Sequence, residues 1–341
     1  MPKSSKNSDK NEVQPPNLAV VIPCYRERAH ILDVLAEIGS EVTAIFVIDD
    51  ACPEQTGEFV DQNCSDTRVS VTVHSANTGV GGATLTGYKK ALEAGFEIIV
   101  KLDGDGQMDP TLISKIAAPI IDGRADYAKG NRFHRADAVS KMPAARIVGN
   151  ICLSLMSKLS SGYWDIFDPT NGFTAIHATA VSSLPFDKIS NGYFFESEML
   201  FRLGMMRAVV EDVPMTAQYA NETSGISIPK VIPEFIAKHY LNTCKRVYFN
   251  YFLRDPGVAT LQLVFGKLFL AFGLIFGSWH WYDSMQTGIT ATAGTVVLAA
   301  LPIIVGTQLL FAFFGQDTRN IPNDPLQSRD NDLTRKPADN F

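Results

Sequence analysis

The 341-residue sequence lacks the cysteine and histidine pairings that bind zinc or build disulfide frameworks. Its five cysteines, Cys24, Cys52, Cys64, Cys152 and Cys244, show no C-x-x-C spacing, and no H-E-x-x-H pattern occurs. An odd, scattered set reads as reduced thiols facing the cytosol and excludes zinc sites of either pattern. Excess positive charge is missing too: the formal net charge is −6, which argues against nucleic acid as a partner. Residues 1–17 carry Lys, Ser, Asn and Pro without an apolar core, so they read as a disordered arm and not as a signal peptide.

Charge is absent altogether from Gly288 to Phe314, and from Val258 to Trp281 it is confined to Lys267. A helix needs about 20 apolar residues to cross a bilayer core, and both runs reach that length. Two buried core helices are the alternative, although soluble helices normally keep a polar face. The link Tyr282-Asp283-Ser284-Met285-Gln286-Thr287 is short enough only for a helical hairpin and holds no Lys or Arg. Lys230, Lys238, Lys245, Arg246 and Arg254 precede the pair, and Arg319, Arg329, Arg335 and Lys336 follow it. The positive-inside bias then places both ends in the cytosol. The expectation is an integral protein of a plasma membrane, bacterial in type, with spans at 258–281 and 288–314 and a disordered cytosolic tail at 315–341. A two-helix anchor is small, which leaves room for a homo-oligomer.

Ahead of the spans, residues 231–256 carry Lys238, His239, Lys245 and Arg246 on one side of a helical wheel and Ile236, Tyr240, Val247 and Tyr251 on the other. That pattern predicts a helix lying in the membrane interface, with an ordinary amphipathic helix packed on the domain as the alternative. Residues 18–230 read differently. Apolar runs at Leu18–Pro23, Ala44–Ile48, Val69–Val73 and Glu97–Leu102 alternate with helical patterns at Ala29–Ile38, from near Glu54, and at Ala83–Ala94. Such alternation predicts an α/β fold with a mostly parallel sheet flanked by helices, whose ligands bind beyond the carboxyl ends of the strands. Pro23-Cys24-Tyr25, Asp49-Asp50, Asn77-Thr78-Gly79 and Asp103-Gly104-Asp105 all fall at such ends.

The last of these is the strongest chemical motif. In extended chain, side chains at i, i+2 and i+4 share a face, so Asp103, Asp105 and Gln107 are expected to aim oxygens at one point. Hard oxygen donors suit Mg²⁺ or Mn²⁺, and such an ion offsets charge on a departing diphosphate. A surface turn rich in Asp and Gly is the plainer alternative. The Gly79-Val80-Gly81-Gly82-Ala83 cluster follows the third strand and not the first, so it reads as a tight turn or a close backbone approach before a dinucleotide fingerprint.

With Val21-Ile22-Pro23-Cys24-Tyr25-Arg26-Glu27, Val47-Ile48-Asp49-Asp50, Asn77-Thr78-Gly79, Asp103-Gly104-Asp105-Gly106-Gln107, Gly130-Asn131-Arg132-Phe133 and Asp168-Pro169-Thr170-Asn171-Gly172-Phe173 in one order, residues 18 to 230 resemble family-2 glycosyltransferases of the GT-A type. The nearer resemblance is to dolichol-phosphate and polyprenyl-phosphate sugar transferases. It implies a nucleotide-sugar donor, of GDP-mannose or UDP-glucose type, and a polyprenyl phosphate acceptor drawn from the bilayer. It also implies that Pro23, Tyr25, Glu27 and Asp49 or Asp50 line the base and ribose pocket, joined by Asn77, Gly79 and Asp103. For Pro23 and Tyr25 a turn and a packing aromatic remain the alternative. Asp103, Asp105 and Gln107 would hold the ion, with Asp105 as the catalytic carboxylate. Arg132 and Arg146 would grip the lipid phosphate, and Asn150, four residues on along the same helical face, would add a neutral contact.

A phosphate acceptor is already anionic near neutral pH, so this chemistry needs no general base. The family inverts configuration. Three departures from its pattern stand out. Ala51-Cys52 replaces the usual Gly-Ser, and Tyr219 to Ile226 carries no basic residue where many lipid-phosphate enzymes have Arg-x-x-Gly-x-Ser-Lys, leaving Lys230 or a juxtamembrane residue to substitute. Glu196 and Glu198 occupy positions where relatives with hydroxyl acceptors place a base, which keeps a glycan glycosyltransferase as the rival reading. Processive synthases of that class, however, carry a Gln-x-x-Arg-Trp motif and more spans. An inactive membrane scaffold is a remote third.

Overall fold

Residues 17–134, 144–215 and 228–329 are described in the computed structural model. The arm at 1–16, the segment 219–226, Arg335, Lys336 and the side chains of Arg146 and Lys230 lie outside the described residues. Seven strands form one sheet: β1 (Leu18–Cys24), β2 (Ala44–Asp49), β3 (Val69–Val73), β4 (Ile98–Lys101), β5 (Tyr127–Asn131), β6 (Thr174–His177) and β7 (Val210–Pro214), in the order β3-β2-β1-β4-β6-β5-β7. Only β6 runs against the rest, pairing antiparallel with both β4 and β5. All seven residues of β1 are buried, as expected when helices cover both faces of a parallel sheet.

Alternation along β1 divides the core. Leu18, Val20 and Ile22 enter one cluster with α1 (Ile31–Glu37), α2 (Thr56–Asn63) and α4 (Ile113–Ile121), while Ala19 and Val21 enter another with α3 (Val80–Glu93), α6 (Ala178–Ser182) and α7 (Phe195–Met206). The helix α3 begins earlier than the expected Ala83, so Gly81 and Gly82 lie inside its first turn. Gly79, at φ +90°, marks the close backbone approach, since a Cβ there would sit 2.5 Å from Asn191 O. Because the parallel strands end at one edge and β6 starts there, the loop 168–173 joins the strand-end loops instead of lying at the far side.

The long helix α5 (Ala144–Ser161) packs beside α8 (Ile228–Tyr248), which leads through a π-helical turn (Phe249–Arg254) to α9 (Val258–Thr287) and α10 (Ala293–Asp317). The last two are long and apolar enough to cross a membrane, and only 17% and 11% of their most apolar windows is buried, which is unlike core helices. They form a hairpin whose seam is made of small residues: a Cβ on Gly273 would meet Ala299 O at 2.8 Å, and one on Gly306 would meet Leu270 N at 2.7 Å. Glycine at these points lets two backbones approach where lipid supplies no hydrophobic drive.

On α8 the polar residues divide: His239 and Arg246 are 2% and 3% exposed against the domain and Lys245 is exposed, while Ile236 and Tyr240 are 51% and 67% exposed. His239 shares a hydrogen bond with Ser160 and Arg246 donates to Asp317, and Ile236 and Tyr240 are left outward. Tyr251, grouped with the apolar side, is buried. The tail departs from the disorder expected of it. Residues 318–329 do not leave the domain but strap back onto it, with Ile321 and Leu326 packed against the core.

Buried Asp126 fastens this strap: its Oδ2 accepts from Val209 N at 2.8 Å and Leu326 N at 2.9 Å, and its Oδ1 accepts from Gln327 N at 3.1 Å. Both ends of the hairpin are therefore held on the side of the sheet domain. Asp126→Ala is expected to lower stability by about 3 kcal/mol, since three amide donors lose their acceptor. Chemical unfolding in detergent reads the loss, and limited proteolysis should find the strap newly cleavable; no change in either would contradict this role.

Candidate active site

The chain does not stay extended beyond β4. It turns at Gly104 and Asp105, and Gly106 adopts φ +75°, so Asp103, Asp105 and Gln107 do not share a face by strand alternation. Asp105 Oδ1 instead accepts from the Gln107 N–H at 2.9 Å, closing the turn. Asp103 is organised by a residue that sequence reading passed over. Lys101, at the end of β4, has a side chain 1% exposed, and its Nζ donates to Asp103 Oδ1 at 2.7 Å and to Gly172 O at 3.3 Å. Glu196 Oε1 lies 3.5 Å from the same ammonium. These carboxylates hold the Lys101 ammonium above its ordinary pKa despite the burial that opposes it. A lysine inside the apolar run Ile98 to Leu102 was the available signal, because a buried charge requires a partner.

Glu27 lies beneath this turn. Its Oε2 is buried without a hydrogen-bond partner, and burial, then the charges of Asp103 and Asp105, push its carboxyl well above the usual range. Among the described residues no three His, Cys, Asp or Glu side chains form a metal cluster. An orphaned carboxylate oxygen beside two further carboxylates nevertheless marks a place short of positive charge. The donor set is all oxygen and fits a hard divalent cation whose remaining ligands come from a diphosphate.

Around the turn, the other strand ends build a wall. Asp49 and Asp50 are 1% and 2% exposed, and protein donors engage both oxygens of each. Asp49 accepts from Cys52 N at 2.7 Å and Gly57 N at 2.6 Å. Asp50 takes Thr78 N at 2.8 Å and Gly79 N at 2.7 Å, with His74 Nδ1 2.8 Å away. They brace the loops that form the wall. The same loops carry non-glycine residues in left-handed backbone, Arg26 at φ 64°, Ala51 at 52° and Gln55 at 53°. The Ala51-Cys52 departure acquires a contact here: Cys52 Sγ accepts from Arg26 N at 3.1 Å and ties the β1 and β2 loops together. Pro23 is buried at the end of β1, whereas Tyr25 and Asn77 are exposed at the wall.

The segment Asp168 to Phe173 spans the distance from the acidic turn to Arg132. At one end Gly172 presses on Asp103 and Lys101, where a Cβ would fall 2.5 Å from Asp103 Oδ2. At the other, buried Asp168 takes the Arg132 fork, Nε to Oδ2 at 2.8 Å and Nη2 to Oδ1 at 3.0 Å. Arg132 thus stands at the end of β5 with its guanidinium already oriented by a carboxylate, a partner the sequence did not disclose. Asn150 lies on α5, on the same helix as Arg146. Of the two glutamates, Glu196 faces Lys101, while Glu198 turns away to Arg202 at 2.6 Å and Asn242 Nδ2 at 3.0 Å.

Behind Arg132, in-register neighbours on β5 and β7 place Lys129 beside Asp212. Burial pushes the fully buried Lys129 down to about 8, and burial, with the Asp168 charge adding to it, raises Asp212 to about 6.

The match to the model of Glycosyl transferase family 2 spans residues 19–184. The UDP-N-acetylglucosamine--dolichyl-phosphate N-acetylglucosaminyltransferase of Methanococcus voltae is 30% identical over 214 residues, covering 59% of this chain and 85% of that protein. The undecaprenyl-phosphate mannosyltransferase of Micrococcus luteus is 28% identical over 200 residues, covering 58% and 81%. In fold alone, the chain is similar to glucosyl-3-phosphoglycerate synthase from Mycobacterium tuberculosis solved with phosphoglyceric acid, with TM-score 0.50 and 18% identity over 68% of this chain and 80% of that one. The chain belongs to glycosyl transferase family 2. It is a glycosyltransferase.

One consequence of the Asp212 environment is measurable. Asp212 keeps its proton in the fold where the unfolded chain would ionise it, so the stabilisation is present below its ordinary value of 3.8 and is lost as pH rises through about 6. Asp212→Asn keeps an acceptor for Asn131 Nδ2 and Phe167 N but removes the titration. Across that window the unfolding free energy of the wild type should fall with pH relative to that of the variant; parallel curves would contradict the assignment.

Proposed function

We propose that this chain is a membrane-bound, inverting glycosyltransferase that moves a hexose from a nucleotide-diphosphate sugar to the phosphate of a polyprenyl phosphate at the cytosolic face. The donor is of GDP-mannose or UDP-glucose type. The named relatives, one acting on dolichyl phosphate and the other on undecaprenyl phosphate, support the acceptor class. The observation that carries the reading is that both candidate bases are engaged: Glu196 by the Lys101 ammonium, Glu198 by Arg202 and Asn242. A hydroxyl acceptor requires a group to take its proton, whereas an ionised phosphate oxygen does not.

In this reading the loops braced by Asp49 and Asp50 hold the nucleoside, with Pro23, Tyr25, Glu27, Asn77 and Gly79 along the wall. Asp103, Asp105 and Gln107 would hold Mg²⁺ or Mn²⁺ together with the donor diphosphate, and the ion would offset charge on the departing nucleoside diphosphate. Arg132, held in orientation by Asp168, would grip the lipid phosphate, joined by Arg146 and Asn150 from α5, and the phosphate oxygen would attack the anomeric carbon in line. The bond to the diphosphate breaks as the new one forms, so an α-linked donor gives a β-linked product. The outward apolar side of α8 would rest on the bilayer.

Purified protein is to be incubated with a panel of UDP- and GDP-sugars, polyprenyl phosphate and either metal or chelator, with the product identified by mass. A lipid phosphosugar formed only with metal is expected; transfer to a glycan hydroxyl would favour the rival class. Asp105→Ala should reduce transfer by at least about 100-fold, in line with loss of a preorganised electrostatic group, while leaving the unfolding transition in place. Full activity in that variant, or in excess chelator, would sink the metal assignment.

A further inference from the structure

Asp317, the last residue of α10, is 2% exposed although it closes an otherwise apolar helix. Four donors from three parts of the chain converge on it. Arg246 of α8 forks onto the carboxylate, Nη1 to Oδ1 at 2.7 Å and Nη2 to Oδ2 at 2.9 Å. The hydroxyl of Tyr251, in the π-helical turn, donates to Oδ1 at 2.6 Å, and Trp164 Nε1, just past α5, donates to Oδ2 at 3.0 Å. The guanidinium is fastened in turn to α5, because Arg246 Nε donates to Leu159 O at 3.0 Å. Gly162, at φ +87°, lets the chain pass: a Cβ there would meet Arg246 Nη1 at 3.1 Å.

Such a cluster is far more than an end cap. A bidentate pair out of water fixes direction as well as distance, and removing one partner leaves an uncompensated charge. Here it joins the root of the second apolar helix to the C-terminal end of α5. That helix is a rod of about 27 Å at 1.5 Å per residue. Its opposite end carries Arg146 and Asn150, the residues assigned above to the lipid phosphate.

We propose that Asp317 is a positioning residue, clamping the membrane hairpin to α5 through Arg246 so that the cleft stands at the height and tilt that admit a bilayer-borne phosphate. It touches neither donor nor acceptor. The inference rests on the acceptor class proposed above and deepens it: presentation from the bilayer depends on the clamp, and the chemistry of transfer does not.

The test uses the full chain in phosphatidylcholine vesicles carrying a long-chain polyprenyl phosphate, and the same vesicles with a short, water-soluble isoprenyl phosphate as acceptor. Asp317→Asn should raise KM for the bilayer-borne acceptor about tenfold, equivalent to about 1.4 kcal/mol. KM for the soluble acceptor, KM for the donor and kcat should stay within about twofold of wild type. Tyr251→Phe, which removes a single donor and endangers the fold less, should give a smaller rise of the same selectivity.

A second readout does not depend on activity. Spin labels at Glu93→Cys in the sheet domain and Gln286→Cys at the hairpin tip, with Cys152 and Cys244 replaced by Ser, report the distance between the two bodies. A narrow distribution that broadens in Asp317→Asn, together with the selective KM change, is the expected result. An unchanged distribution, or an equal KM rise for both acceptors, overturns the inference. A wild type that glycosylates neither phosphate would remove the proposed acceptor class, and the distance distribution would still decide the clamp.

Discussion

A lysine ammonium with almost no access to water, at the end of the fourth strand, is the constraint around which the cleft is arranged. Burial of that charge is tolerable only with carboxylates in contact, and Asp103 and Glu196 supply them from a turn and from a helix far apart in sequence. The contact brings the first turn of α7 over the strand ends and requires Gly172 on the other side, where a side chain would strike both Asp103 and Lys101. With Lys101 committed to Asp103 and Glu196, the Glu27 carboxyl beneath the turn is pushed well above its usual range by burial and by the charges of Asp103 and Asp105.

Topology does the rest. One strand of opposite direction, β6, brings its leading loop to the edge where β1, β2, β4 and β5 end, and through Asp168 and Gly172 that loop spaces Arg132 from the acidic turn. The membrane-proximal parts are joined to the sheet domain by polar contacts, Ser160 with His239, Glu198 with Asn242 and Arg246 with Asp317, beside the edge-on packing of Phe194 against Phe235. These polar contacts leave Ile236 and Tyr240 of α8 outward, and the bidentate pair defines direction as well as distance.

Much of this was legible beforehand. Strand positions followed from buried apolar runs such as Leu18–Cys24, and Val69–Val73 has the bounds the sequence indicates. The hairpin followed from two apolar helices and a short link, although Tyr282 to Thr287 continue α9 and the link lies at 288–292, and the family followed from the ordered strand-end motifs. What stayed hidden was partnership. A sequence shows that Asp49, Asp50 and Arg132 are polar at strand ends, but not that amides 52, 57, 78 and 79 and the buried Asp168 already engage them. A helical wheel shows that α8 has two faces, but not which one meets protein. The strap at 318–329 looks like any polar tail until Asp126 is seen to hold its amides. Lys101 and Lys129 were the overlooked cues, being charges set inside strands that otherwise read as core.

The most direct measurement is calorimetric titration of UDP and GDP into the intact protein with Mn²⁺, with Mg²⁺ and with neither, repeated on Asp103→Asn. One of the nucleotides should bind, omitting the ion should weaken it by at least about 100-fold, near 2.7 kcal/mol, and the variant should lose the dependence on the ion. Equal affinity with and without the ion in the wild type would contradict the metal assignment.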